Sequence, residues 1–129
     1  MKAMFLSAAL AFGGAAAAAD PAGLLASYHA EAKKIDPSFT ASVARGESFF
    51  NARHGNEWSC ASCHGSPPTV QGKHAKTGKA IAPLAPKANA ERFADAAKAE
   101  KWFRRNCNDV LGRACTPLEK ADVLAFLLK

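Results

Sequence analysis

Cys60-Ala61-Ser62-Cys63-His64 is the stretch of sequence that decides the fold. Two cysteines separated by two residues and followed directly by a histidine form the attachment signature of a c-type haem. Each thiol adds to one vinyl group, and the two-residue spacing brings both sulfurs to the same porphyrin edge. The imidazole of His64 can then coordinate the iron. The stretch therefore predicts one covalent haem held by Cys60, Cys63 and His64.

Two other uses of these cysteines compete with haem. A zinc ribbon repeats C-x-x-C in both halves, whereas the two remaining cysteines, Cys107 and Cys115, are separated by seven residues. A thioredoxin-like site requires a βαβ pattern around the motif, and the surrounding sequence does not have one. Haem c is therefore the favoured cofactor.

The first 19 residues are typical of a secretory signal peptide. Lys2 is the positive start, residues 3–11 are apolar, and residues 17–19 are the small alanines that precede a cleavage point before Asp20. The apolar run is shorter than the roughly 20 residues that a membrane-spanning helix needs. The sequence therefore predicts export to the periplasm, a cytochrome domain over residues 20–129 and no membrane span in the mature protein.

Export also bears on the two remaining cysteines and on the partners. Disulfides persist outside the cytoplasm, so Cys107 and Cys115 are expected to pair. A bond between them would contribute roughly 2–3 kcal/mol in the chain-entropy account.

The chain has 17 lysines and arginines against 11 acidic residues, a balance that suits an acidic redox partner. It has no arginine-rich stripe with stacking aromatics, so nucleic acid is not an expected partner. A monomer is expected from its size.

The hydrophobic pattern predicts four or five helices and no strands. Asp20-Pro21 is a favourable helix start, and Thr116 with Glu119 has the spacing of a capping box. Thr40 or Ser38 is expected to cap a second helix that begins at Ala41. The predicted helices cover residues 21–34, 41–52, a short turn at the C-x-x-C-H stretch, 89 or 90 to 106, and 117 onward.

These helices resemble class I cytochromes c. In that family an N-terminal helix with the pattern G-x-x-x-F crosses a C-terminal helix, and C-x-x-C-H lies between them. Gly46 and Phe50 match the first of these helices, and the last helix supplies the matching apolar residues Val123, Phe126 and Leu127. The resemblance implies an all-α, class I cytochrome c-like fold around one haem.

This resemblance bears on two features of the iron site, the hydrogen-bond acceptor of the haem histidine and the sixth ligand. In class I cytochromes a proline carbonyl after the haem motif accepts the other N–H of the haem histidine, and Pro83 is the candidate here. The usual sixth ligand is methionine, but this chain has only Met1 and Met4, both in the predicted signal peptide. The residues alone leave several sixth ligands open, namely His29, His54, His74, a lysine, a softer or weaker group, or none.

The stretch Arg105-Asn106-Cys107-Asn108, with Cys115 eight residues after Cys107, resembles the sphaeroides haem protein (SHP) family. In that family the asparagine before the first disulfide cysteine is the sixth ligand of ferric iron. The resemblance therefore implies Asn106 as this ligand and a Cys107–Cys115 disulfide. It also implies that Asn106 leaves on reduction and that ferrous iron then binds oxygen or nitric oxide.

The SHP resemblance implies a dihaem cytochrome c as the electron donor, and it leaves slow reduction of oxygen or nitric oxide open as an enzymatic activity. The alternative is a simple electron-transfer cytochrome whose iron stays six-coordinate through His54, His74 or a lysine. Access of a gas to the reduced iron separates these two functions.

Overall fold

The computed structural model describes residues 20–129, so the predicted signal peptide, residues 1–19, lies outside the described residues. The described part contains five helices and one short antiparallel ladder. They are α1 (Pro21–Ile35), α2 (Val43–Asn51), α3 (Cys60–His64), β1 (Gly72–Lys73), β2 (Ala80–Ile81), α4 (Ala96–Leu111) and α5 (Pro117–Leu127). The predicted all-α architecture is confirmed.

Side-chain caps explain where these helices begin. The Asp20 carboxylate accepts the Gly23 amide at 2.6 Å, as expected at the start of α1. The Thr116 hydroxyl accepts the Glu119 amide, and the Glu119 carboxylate accepts the Thr116 amide, so the predicted capping box at α5 is confirmed. The predicted cap of α2, Thr40 or Ser38, is wrong, because Ser42 caps this helix by accepting the Arg45 amide.

The predicted boundaries of α4 are also wrong. Residues 90–93 lie in turns, and Phe93 has a left-handed φ of 60°, a conformation that interrupts a right-handed helix. The helix begins only after Asp95, which caps the Lys98 amide. It continues past Asn106 to Gly112, whose φ of 71° ends it in the left-handed region. The ladder of β1 with β2 was not predicted, since two residues per strand are too few to show a period of two.

The crossing of α2 and α5 is the tightest contact in the fold. A Cβ on Gly46 would overlap the backbone carbonyl of Asp122, so only glycine allows the two helices to approach this closely. Phe50, one turn later, is 1% exposed and packs against Phe126, with ring centroids 5.5 Å apart. The crossing predicted from G-x-x-x-F is therefore present.

The hydrophobic core continues from this crossing in two directions. One cluster joins α1 to α5 through Leu24, Tyr28 and Leu124. The other extends from Phe50 and Phe126 to the half-buried residues Phe49, Cys60, Ala61, Leu84, Phe93 and Phe103. The second cluster therefore borders the C-x-x-C-H helix and α4. No helix within residues 20–129 is long and apolar enough to cross a membrane.

Candidate haem site

The C-x-x-C-H stretch folds into a single helical turn, α3, that is fixed at its start. The Ser59 hydroxyl accepts the Ser62 amide at 3.1 Å, and the Ser62 hydroxyl accepts the Ser59 amide at 2.9 Å. This reciprocal cap satisfies two amides that would otherwise lack partners. Both thiols, on Cys60 and Cys63, are unpaired and half-buried. Burial raises the pKa of the Cys60 thiol to about 11.

His64 lies at the end of α3, with its ring centroid 6.5 Å from that of Phe50. Its Nδ1 is buried and has no hydrogen-bond partner among the described residues. Burial, followed by the positive charge of Arg92, lowers the pKa of His64 to about 4. The imidazole is therefore neutral at pH 7, which is the form that binds a metal.

The loop after α3 packs directly on its backbone. A Cβ on Gly72 would overlap the carbonyl oxygen of Cys63, so β1 lies against the haem motif at van der Waals distance. The Ala75 amide points at the Cys63 sulfur, at 3.3 Å. These contacts fix the orientation of α3 relative to the residues that follow it.

The carbonyl of Pro83 accepts hydrogen bonds from two side chains. These are Arg92 Nε at 3.0 Å and Asn89 Nδ2 at 3.4 Å. The His64–Pro83 hydrogen bond that the class I resemblance implies stays a prediction. Arg92 could not be identified from the sequence, because a lone arginine in a loop belongs to no motif. Its contacts with the Ala82 and Pro83 carbonyls exist only in the folded chain.

Asn106 lies on α4, where it is half-buried and three residues after Phe103. Residues three apart share a helix face, and Phe103 packs against Phe93 with centroids 6.2 Å apart. Within the described residues, the Asn106 side chain makes no hydrogen bond with any protein group. The next residue, Cys107, forms a disulfide with Cys115, with a Cα–Cα distance of 5.6 Å. The Asn106 amide thus has no hydrogen-bond partner within the described residues, and the disulfide at Cys107 fixes the backbone next to it.

The other candidate ligands already have contacts. His54 Nε2 lies 2.8 Å from the Phe49 carbonyl oxygen, and its ring lies 4.3 Å from that of Phe49. His74 Nδ1 accepts two backbone amides of its own loop at 3.2 Å. His29 lies on α1, with its ring 5.8 Å from that of Phe39.

The chemistry of this site fits a covalent haem and does not fit zinc. Two unpaired thiols and a buried neutral imidazole lie on one turn beside an apolar cluster. Cys107 and Cys115 are bonded to each other, so the four cysteines do not form a zinc ribbon. Over residues 20–129, no group of three or more histidine, cysteine or acidic side chains is arranged to hold a metal ion.

A single C-x-x-C-H turn in a small helical fold defines a monohaem c-type cytochrome. Residues 36–127 match a family described as a domain of unknown function, DUF1924. The cytochrome c-type protein SHP of Cereibacter sphaeroides is 46% identical over 128 residues, which cover 96% of this chain and 95% of that relative. The chain therefore belongs to the SHP family of c-type cytochromes.

A second relative and two solved structures agree with this assignment. Cytochrome c'' of Methylophilus methylotrophus is 44% identical over 110 residues, covering 81% of this chain and 76% of the relative. Its oxidized crystal structure has a TM-score of 0.76 at 41% identity, covering 84% of this chain and 93% of that one. The structure of oxidized SHP, an oxygen-binding cytochrome c, has a TM-score of 0.75 at 46% identity, covering 85% and 96%. The predicted cytochrome c fold and haem c are confirmed.

Proposed function

We propose that this chain is an exported cytochrome that accepts electrons and binds oxygen or nitric oxide after its sixth ligand, Asn106, is released on reduction. The haem supplies the one-electron redox change and the coordination position. In this proposal Cys60 and Cys63 form the two thioethers and His64 is the permanent iron ligand. Residues 1–19 are the export signal, and residues 20–129 act in the periplasm.

The proposal rests on the side-chain amide of Asn106, which makes no hydrogen bond within the described residues. This residue lies on α4 three residues after Phe103, which packs against the cluster that borders α3. The chain also has no methionine after Met4. The amide oxygen of Asn106 is therefore the proposed sixth ligand, in the place that a methionine sulfur takes in most class I cytochromes.

An amide oxygen is a hard, neutral and weak ligand. It suits ferric iron better than the softer ferrous iron. We therefore expect Asn106 to coordinate ferric iron and to dissociate when the iron is reduced. The buried disulfide of Cys107 fixes the backbone directly beside it. Release is therefore a rotation of the Asn106 side chain, and the helix itself does not need to move.

The relatives support the same behaviour. SHP is described as an oxygen-binding cytochrome c, and the solution structure of cytochrome c'' addresses haem-ligand detachment. We expect this chain to share oxygen binding with SHP and haem-ligand detachment with cytochrome c''. Slow reduction of the bound gas is an activity that such a site permits.

The alternative is a simple electron carrier that stays six-coordinate in both redox states. It requires His54, His74 or a lysine as a permanent ligand. His74 Nδ1 accepts two backbone amides, so its other ring nitrogen carries the proton in the neutral imidazole, which disfavours His74 as a ligand. The contact of His54 Nε2 with the Phe49 carbonyl leaves its Nδ1 available, so His54 is the stronger candidate in this alternative. For electron delivery we propose an acidic redox protein, and the SHP family indicates a dihaem cytochrome c.

Two asparagines on α4 provide a matched test. Asn106→Val removes the proposed ligand, while Asn108→Val makes the same change at an exposed position two residues later. Valine and asparagine have similar helix propensities, so both variants should fold. We expect the ferric spectrum of N106V to become high-spin and that of N108V to stay unchanged. An unchanged ferric spectrum of N106V would remove Asn106 from the coordination sphere.

A further inference from the structure

The loop of residues 52–59, between α2 and α3, contains a tight turn that is anchored to α2. The Asn56 backbone amide donates to the Arg53 carbonyl at 2.9 Å, and the two residues between them, His54 and Gly55, have left-handed φ angles of 53° and 78°. Two successive positive φ angles are those of a type I′ turn. His54 Nε2 donates to the Phe49 carbonyl at 2.8 Å, which fixes the turn to the end of α2.

The side chain of Asn56 links this turn to α4. Its Nδ2 donates to the Val110 carbonyl at 2.9 Å, in a partly buried contact between residues that lie 54 positions apart in the chain. Val110 belongs to the last turn of α4, where carbonyls have no acceptor role left within the helix and need a partner from outside. Within residues 20–129, this is the one side-chain hydrogen bond between the 52–59 loop and α4.

The contact with Asn56 lies one helical turn after Asn106. In an α-helix the amide of residue 110 donates to the carbonyl of residue 106, so the backbone positions of Val110 and Asn106 are tied to each other. On the other side of Asn106, Phe103 packs against the cluster that borders α3. The disulfide at Cys107 connects α4 to the residue before the cap of α5, and not to the haem motif. Asn106 therefore lies between two contacts that hold α4 to the part of the chain carrying the haem motif.

We propose that Asn56 is a positioning residue that holds α4 against the 52–59 loop and thereby keeps Asn106 in place to coordinate ferric iron. The inference rests on the proposed role of Asn106 as the sixth ligand. A weak ligand benefits from a backbone that is already fixed in the bound position, because the entropy of ordering that backbone is not lost again when the bond forms. Without the Asn56 contact, a larger fraction of the ferric protein has an open sixth position.

Two variants remove this contact, and a second asparagine provides the matched control. Asn56→Ala deletes the donor, and Asn56→Leu replaces it with an uncharged side chain of similar size. In the control, Asn51→Ala, the lost bond is one from Asn51 Nδ2 to the Glu47 carbonyl, also at 2.9 Å but within α2. Each ferric holoprotein is titrated with azide, which binds an iron whose sixth position is open. Hydrogen exchange of the amides in residues 107–112 reports how firmly the end of α4 is held.

The apparent affinity for azide scales with the fraction of protein in which the sixth position is open. The net contribution of one hydrogen bond changes such a fraction by roughly fivefold, so N56A and N56L should bind azide roughly fivefold more tightly than the wild type. Both should also exchange the amides of residues 107–112 faster, and N51A should match the wild type in both measurements. Combined with N106V, N56A should have no further effect on azide affinity, because the residue through which Asn56 acts is gone.

Azide affinities of N56A and N56L equal to that of N51A would overturn the inference, and so would unchanged hydrogen exchange at the end of α4. An effect of N56A that keeps its full size in the N106V background would also overturn it, because Asn56 would then act on the iron by another route. Failure of the proposed function looks different, since the ferric spectrum of N106V alone would then match that of the wild type. A changed N106V spectrum with an unaltered N56A protein refutes the role of Asn56 only.

Discussion

Replacing Gly46 with alanine is expected to force α2 and α5 apart. The added Cβ would overlap the backbone carbonyl of Asp122 and lie 3.0 Å from the Cβ of Phe126. A backbone carbonyl cannot rotate out of the way as a side chain can, so one of the two helices has to move. Phe50 and Phe126, which pack beside this glycine, would lose contact with each other.

The magnitude follows from two opposing effects. Overpacking a tight core site costs typically about 1–3 kcal/mol, and the backbone obstacle at Gly46 places this change at or above the upper end of that range. Alanine regains about 1 kcal/mol through its higher helix propensity. A net loss of about 2 kcal/mol in the free energy of unfolding lowers the melting temperature of a domain of this size by roughly 10 °C.

The assay is thermal unfolding of the holoprotein followed by circular dichroism, with Gly23→Ala as the control. Gly23 lies in α1, and the nearest atom to a Cβ there is a carboxylate oxygen of Asp20 at 3.3 Å, on a side chain that can adjust. G23A should therefore melt at or slightly above the wild-type temperature. A G46A variant that melts as high as G23A would refute the close helix crossing as the reason for this glycine.

Three further perturbations have expected outcomes. Replacing Cys107 and Cys115 together by serine should cost roughly 2–3 kcal/mol of stability in thermal melts, and an unchanged melting temperature would contradict that role of the disulfide. Asp122→Asn weakens three hydrogen bonds, one from the Ser42 amide and two from Arg45, so urea unfolding should show a loss of about 2 kcal/mol; a loss within error would show that the carboxylate charge is not needed. Burial acts to raise the pKa of Glu119, but its hydrogen bonds outweigh burial and the pKa is lowered. A lowered folded-state pKa gives stability above the unfolded pKa that is lost as pH falls through the folded one, so between about pH 5 and pH 3 the wild type should lose more stability than E119Q. Parallel acid titrations of the two would contradict this.

Features fixed by neighbouring residues were predictable from the sequence. The cap at Asp20 and the capping box from Thr116 to Glu119 involve residues three apart, so their spacing alone locates the helix starts. The spacing of Gly46 and Phe50 likewise indicated a face that another helix approaches closely, and the class I resemblance implied α5 as that helix. Each of these patterns is local in the sequence, although the contact of Gly46 with Asp122 joins two distant helices.

Features fixed by distant residues were not predictable. Ser42 is the cap of α2 in part because its amide donates to Asp122, 80 residues later. The late start of α4 depends on the conformation of Phe93 and on the reach of Arg92 to carbonyls nine and ten residues earlier. Periodicity within a helix carries no record of such long-range hydrogen bonds.

The release of Asn106 on reduction is tested most directly by absorption spectra of the purified holoprotein in the ferric state and after reduction with dithionite, with and without carbon monoxide. The account predicts a low-spin ferric form that becomes high-spin on reduction and binds carbon monoxide. A reduced form that stays low-spin and does not bind carbon monoxide would contradict it and establish a permanent sixth ligand.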